Sequence, residues 1–367
     1  MHLLKIHFLL IIFSLQCFVV AAQDEAPSSK YALSLNYHYG FLMKHGDDMG
    51  HLANQRPLKL ELDFKIQTDG NKGWQVNNKY PVVGYSLNYI HFDPDKPVGD
   101  ALGLIIYYGK AFFRTPKSEL RWKIGVGPGI VFRKFDIITN NKANITGSTL
   151  NYCLNGAINF STTISKRLIF NAGIGLFHLS NGAMKIPNLG MNIPAVYAGL
   201  GFTSKKQVTF DAPEPERKKR SNSINLTIGG GFKEIKPIGG SKYFAGVFSA
   251  FYDLGINSRT CLNLGYDFIY DYSAKAEIKR GTYDKELVNG NYMRHGVALG
   301  FHYFISQVSF VGQCGYYVFD PLKRYKPLYQ RYTIKYNFTD AISAGIALKA
   351  HFGQAELVEW TVGYTLK

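Results

Sequence analysis

From Leu58 to Ile66 the chain alternates without a break: Leu58, Leu60, Leu62, Phe64 and Ile66 are apolar, and Lys59, Glu61, Asp63 and Lys65 between them are charged. Successive side chains of an extended strand point to opposite faces, so a period of two describes a strand with one greasy and one wet face. The pattern returns where Leu120, Trp122, Ile124, Val126, Pro128 and Ile130 alternate with Arg121, Lys123 and three glycines. It returns again where Tyr332, Ile334, Tyr336 and Phe338 alternate with Arg331, Thr333, Lys335 and Asn337. A soluble sandwich would alternate too, but strands of about ten residues with aromatic residues near their ends suit a tilted bilayer crossing. The pattern predicts an all-β chain, a transmembrane antiparallel β-barrel of about sixteen strands, eight before residue 205 and eight after 222.

Connector lengths alternate as well. Short ones such as Thr115 to Ser118, Ser165 to Arg167, Ile305 to Gln307 and Asn337 to Asp340 read as inner turns. Longer ones, Lys44 to Arg56, Lys134 to Gly147, Ala274 to Asn289 and Asp320 to Pro327, read as outer loops. Trp74 to Lys79 is longer than an inner connector should be. Residues 205–222, with Pro213, Pro215 and the run Glu216-Arg217-Lys218-Lys219-Arg220, separate the halves 23–204 and 223–367 as a basic, solvated linker on the inner side. This layout allows one barrel of about sixteen strands, completed by residues 223–367, or two tandem eight-stranded barrels. A single barrel is the expectation. The last residues, Trp360 to Lys367, alternate as a closing strand should.

Composition narrows the class. With 46% hydrophobic and 15% aromatic residues the chain is neither disordered nor collagen-like, and 4 cysteines in 367 residues are no disulfide framework. Residues 1–22 place Lys5 before an apolar run, Phe8 to Val20, and end in Val20-Ala21-Ala22, the pattern of a signal peptide cleaved before Gln23. The residues preceding Cys17 fit a lipoprotein site poorly, and Cys153, Cys261 and Cys314 remain as an odd number scattered on strands. No later segment offers about 18 consecutive apolar residues, so a helical membrane protein is excluded. An exported chain of alternating strands points to the outer membrane of a Gram-negative bacterium. The basic run of the linker is read as solvated chain and not as a nucleic-acid site.

Chemistry concentrates in residues 177–192, Phe-His-Leu-Ser-Asn-Gly-Ala-Met-Lys-Ile-Pro-Asn-Leu-Gly-Met-Asn. His178 and Ser180, two apart on a strand, point the same way with backbones roughly 6 to 7 Å apart, a possible base and nucleophile. Leu168, Phe170, Ala172, Ile174 and Leu176 share their parity. The pair therefore faces lipid, about one bilayer crossing from Arg167, at the outer-leaflet boundary. On the next strand Pro194, Val196, Ala198, Leu200 and Phe202 form the greasy face and Asn192 continues it. Asn192 is thus within reach of His178 across the hairpin. A reactive site on the outside of the wall implies a membrane lipid as substrate.

The run His178-x-Ser180-Asn181, followed by Lys185-x-Pro187-Asn188-x-Gly190, resembles the active-site segment of the outer-membrane lipid A 3-O-deacylases, also grouped as acyloxyacyl hydrolases. The resemblance implies a β-barrel enzyme that removes an ester-linked acyl chain from lipid A with a His, a Ser and an acidic residue on the barrel exterior, without metal or organic cofactor. His178 and Ser180 align with the family's base and nucleophile, and Asn192 stands where the family has a glutamate. An amide can orient the imidazole but brings no charge to stabilise the imidazolium. Amides around Asn181 and Gly182 would meet the oxyanion, with Asn188 a further donor, and Lys185 lies beside the site. The resemblance covers chiefly residues 150–203 and loosely the first eight strands; residues 223–367 lie outside it.

His351 and Glu359 have inward parity, against Ile346, Leu348, Ala350 and Phe352 and against Val358, Trp360 and Val362, and belong to an interior polar cluster. The 42 Lys+Arg against 26 Asp+Glu leave +16, or +15 once Lys5 is removed, which suits the phosphates of lipid A or lipopolysaccharide in the outer leaflet. The function expected is an outer-membrane serine esterase acting on lipid A or a related acylated lipid. The rival is a porin-like or structural barrel without catalysis, since a wide barrel has a polar interior that holds water.

Overall fold

The alternating segments form sixteen long antiparallel strands in the computed structural model, which describes residues 28–44, 47–52, 55–210, 218–283 and 292–367. The first eight are β1 (Tyr31–Gly40), β2 (Leu58–Gln67), β3 (Val82–His91), β4 (Ala101–Arg114), β5 (Ser118–Val131), β6 (Leu150–Thr163), β7 (Leu168–Ser180) and β8 (Met191–Thr203). The other eight are β9 (Ser223–Glu234), β10 (Lys242–Gly255), β11 (Thr260–Asp271), β12 (Met293–Phe304), β13 (Val308–Phe319), β14 (Leu328–Asn337), β15 (Ile342–His351) and β16 (Gln354–Leu366). The segment expected to be a signal peptide, 1–22, and residues 211–217 of the linker lie outside the described residues.

The expectation of one sixteen-stranded barrel is corrected. β8 pairs with β1, from Ala32 opposite Thr203 to Gly40 opposite Ala195, and closes a barrel of eight. β16 pairs with β9, from Ile224 opposite Leu366 to Gly230 opposite Trp360, and closes a second barrel of eight. The alternative of two tandem barrels holds. Closure removes the edge to which further strands could add, so residues 223–367 complete no wall of the first barrel. Contacts divide the chain into two compact units, and the second includes residues 144–148 and 180–188 together with 216–367.

Each barrel is polar inside and apolar outside, the inverse of a soluble protein. Along β1, Leu33, Leu35, Tyr37 and Tyr39 are exposed while Ser34, Asn36 and His38 are buried. The charged residues of β2 point into the lumen, where Glu61 accepts from Lys123 Nζ at 2.8 Å and Asn36 Nδ2 at 3.1 Å. In the second barrel Asp267 is bonded by Arg331 and Tyr329, and Asp271 by Lys233. Buried charges persist in a wall only when partners satisfy them, and cross-strand pairs do so here. No helix among the described residues is long and apolar enough to cross a membrane, which says nothing of strands.

The long connector at 74–79 has a physical reason. It forms α1 (Gly73–Asn77), whose Val76 packs with Tyr80, Val208 and Phe210 in an apolar cluster. Tyr80 Oη donates to the Phe210 carbonyl at 2.8 Å, and the Arg114 guanidinium lies 4.3 Å from the Phe210 ring centre. The segment packs with 208–210 as a cover near the inner end of the first barrel, which a two-residue turn could not supply.

Candidate active site

β7 and β8 run antiparallel with His178 directly opposite Asn192. The two side chains meet: His178 Nδ1 lies 2.6 Å from Asn192 Oδ1. An amide oxygen only accepts, so in this contact Nδ1 carries the proton. Ser180 ends the same strand two residues on, with the parity of His178. His178, Ser180 and Asn192 are all half-buried, continuing the outward rows of Ile174, Leu176 and Val196, which are exposed.

Behind this outward trio the strands present apolar side chains to the lumen. Phe177, Leu179, Met191 and Ile193 are fully buried, together with Cys153, Ile105 and Leu42. The outer end of the first barrel thus has an apolar filling beneath the site, whereas its lower part is ionic. Packing of this kind locks the backbone that carries His178, Ser180 and Asn192.

After Ser180 the chain leaves the strand through a pinned turn. Gly182 and Ala183 have φ of +64° and +70°, a conformation open to glycine and strained for alanine. Asn181 holds the turn together: its N–H donates to Asn188 Oδ1 at 2.9 Å and its side-chain amide to the Lys185 carbonyl at 2.8 Å and Thr146 Oγ1 at 3.2 Å. Gly147 N–H donates to the Pro187 carbonyl at 2.7 Å. The Asn181 N–H and side-chain amide and the Asn188 amide oxygen are therefore engaged in holding the turn. The Gly182 N–H enters no hydrogen bond among the described residues. Lys185 is half-buried in the same loop.

Two other polar clusters lie inside the second barrel. His351 is buried with Nε2 2.8 Å from Glu356 Oε2 and Nδ1 3.0 Å from the Leu328 carbonyl, and Glu359 pairs with Arg331 at 3.3 Å. Asp253, His302 and Ser309 form a relay of 2.7 Å and 2.9 Å. Its serine is 0% exposed and also accepts from Asn337 Nδ2 at 3.2 Å, which makes the relay a satisfied element of the wall and not an open site.

One residue near the site escaped sequence reasoning. Glu234 ends β9 on the parity of Ile224, Ile228 and Phe232, which are exposed, yet it is only 5% exposed. Its carboxylate accepts the N–H of Ile186 at 3.2 Å and that of Gly239 at 2.6 Å. A charge on the apolar parity of a strand was the available signal.

Two family models match the chain. One, described as "Lipid A 3-O-deacylase (PagL)", matches residues 58–201, and the other, described as "Acyloxyacyl hydrolase, C-terminal domain", matches 222–367. The second match corrects the placing of residues 223–367 outside the resemblance. Their pattern of strands offered no motif comparable to His178-x-Ser180, so nothing in it signalled the relationship. No curated protein matches the chain. Among solved structures, a triple mutant of the Rhodopseudomonas blastica porin is 8% identical over 93% of this chain and 100% of that one, with a TM-score of 0.18. A structure described as "Asymmetric conductivity of engineered proteins" is 10% identical over the same shares, with a TM-score of 0.19. Likeness at that level carries no argument.

Proposed function

We infer that this chain, which belongs to the lipid A 3-O-deacylase and acyloxyacyl hydrolase family, is a serine esterase of the Gram-negative outer membrane that removes an ester-linked acyl chain from lipid A. The single observation that carries the reading is the 2.6 Å contact between His178 Nδ1 and Asn192 Oδ1 on the outward, apolar face of the first barrel, with Ser180 next in the same row. A base and a hydroxyl on that face meet acyl chains and not water-borne substrates. Strands of 10 to 14 residues in the first barrel with apolar exteriors and ionic interiors are what a bilayer crossing demands.

In the proposed reaction Ser180 Oγ attacks the ester carbonyl while its proton passes to His178 Nε2. The negative charge that develops on the carbonyl oxygen falls to the unengaged Gly182 N–H. The tetrahedral intermediate collapses by breaking the bond to the sugar oxygen, and His178 returns the proton to that leaving alkoxide. Water, deprotonated by His178, then attacks the acyl-serine; the acyl–Oγ bond breaks, His178 returns the proton to Ser180 Oγ, and the fatty acid is released. Asn192 keeps the proton on Nδ1 throughout, in the neutral ring and in the imidazolium. The ammonium of Lys185 is suited to the phosphates of the head group.

Replacement of Ser180 or His178 by alanine tests the reading. Each variant, reconstituted with purified lipid A and followed by mass spectrometry, is expected to lose at least about 10³-fold in the rate of acyl release. Release at the wild-type rate by either variant would overturn the assignment.

A further inference from the structure

Glu234 occupies a position that a barrel exterior avoids. Its neighbours of the same parity on β9 are exposed and apolar, and a carboxylate in that row is costly unless its charge is satisfied. Satisfaction comes from the loop that follows Ser180. Within the second compact unit, which contains both β9 and residues 180–188, Glu234 Oε2 accepts the Ile186 N–H at 3.2 Å. Its own backbone N–H donates to the Ala183 carbonyl at 3.4 Å. One residue thereby grips both ends of the segment 183–186. The Gly239 N–H, 2.6 Å from Oε1, fixes the orientation of the carboxylate that does so.

A separate observation places the turn just before this segment under the same constraint. A Cβ on Gly182 would lie 2.2 Å from Val358 Cγ2, so the backbone there is in direct contact with β16. Val358 shares the outward parity of Trp360 and Val362, which are exposed, yet it is 5% exposed. An outward apolar side chain and an outward carboxylate are thus both covered by residues 182–186.

We propose that Glu234 is a positioning residue of the esterase, holding the 183–186 backbone and through it the Ser180 turn and the Gly182 N–H. The proposal rests on the reading of Ser180 as nucleophile. A donor aimed at a developing oxyanion acts only if its direction is set beforehand, and misplacement by about 1 Å costs up to about 10²-fold in rate. Glu234 touches neither substrate nor reacting atoms.

The test uses the full-length chain in micelles with purified lipid A, comparing wild type, Glu234→Ala, the isosteric Glu234→Gln and Ser180→Ala. Turnover and KM are measured by mass spectrometry, and exchange of the Ile186 amide is measured in parallel. Glu234→Ala is expected to lower kcat about 10- to 100-fold with KM within about 2-fold and to accelerate Ile186 exchange. Glu234→Gln, which keeps the shape and one acceptor oxygen, should fall between. Should Glu234→Ala fail to fold, Glu234→Gln carries the comparison. Wild-type kcat in the folded glutamate variants, or unchanged Ile186 exchange, would overturn the positioning role. If Ser180→Ala turns over like wild type, the catalytic reading fails instead, and the exchange arm still decides whether Glu234 holds the loop.

Discussion

An amide at position 192 separates two functions that a carboxylate performs together. Asn192 Oδ1 lies 2.6 Å from His178 Nδ1, but an amide brings no counter-charge to the imidazolium that the proposed attack would form. Asn192→Glu is therefore expected to raise the kcat of lipid A deacylation, by about 10-fold or more, whereas Asn192→Ala should lower it by releasing the ring. Steady-state rates of the three proteins decide the matter; a slower glutamate variant would mean that the site has been rebuilt around the amide. The two positions are cross-strand partners, and the hairpin register that makes them so could only be anticipated from the parity of residues 168–180 and 192–202.

Elements place these side chains through strand parity and through loops that spend polar groups on themselves. The loop before β4 shows the same economy. Asp100 accepts from Tyr89 Oη at 2.5 Å, from His91 Nδ1 at 2.9 Å and from the Phe92 N–H at 3.2 Å. Burial pushes this carboxyl up, but the bonds from Tyr89, His91 and Phe92 outweigh it and hold it below the ordinary carboxylate range. A depressed carboxylate contributes order above its unfolded pKa, about 3.9, and loses it as pH falls through the lower folded value. Exchange of the Phe92 amide should therefore be insensitive to this group near neutrality, once intrinsic rates are allowed for, and accelerate only below about pH 4. Asp100→Asn should remove that acid transition. An acceleration that begins well above pH 4 would overturn the assignment to Asp100.

At the scale of the molecule, barrel size decides which functions are open. A lumen enclosed by eight strands is about as wide as its own side chains, and here it is occupied by Glu61, Lys123, Asp63 and Arg121 in one barrel and Asp267, Arg331, Glu356 and Arg294 in the other. The charged side chains that point inward are buried and paired with one another. The purified protein in a planar bilayer is expected to give no stepwise ion current of porin size, and such steps would restore the pore reading. Within the second compact unit, Glu234 and Val358 meet residues 182–186.

Much of this was determined by the amino-acid sequence alone, because a period of two is a local property of extended backbone. It specified sixteen strands, which side of each is apolar, and the outward row that carries His178, Ser180 and Asn192. It could not specify closure, since parity is the same whether β8 finds β1 or a distant strand; that choice is made by edges meeting in three dimensions. Nor could it show that Asn181 and Asn188 bond each other, that the stretch at 74–79 packs with Val208 and Phe210, or that Glu234 meets Ile186. Those contacts join residues with no periodic relation, and only the folded chain brings them within hydrogen-bonding and packing range.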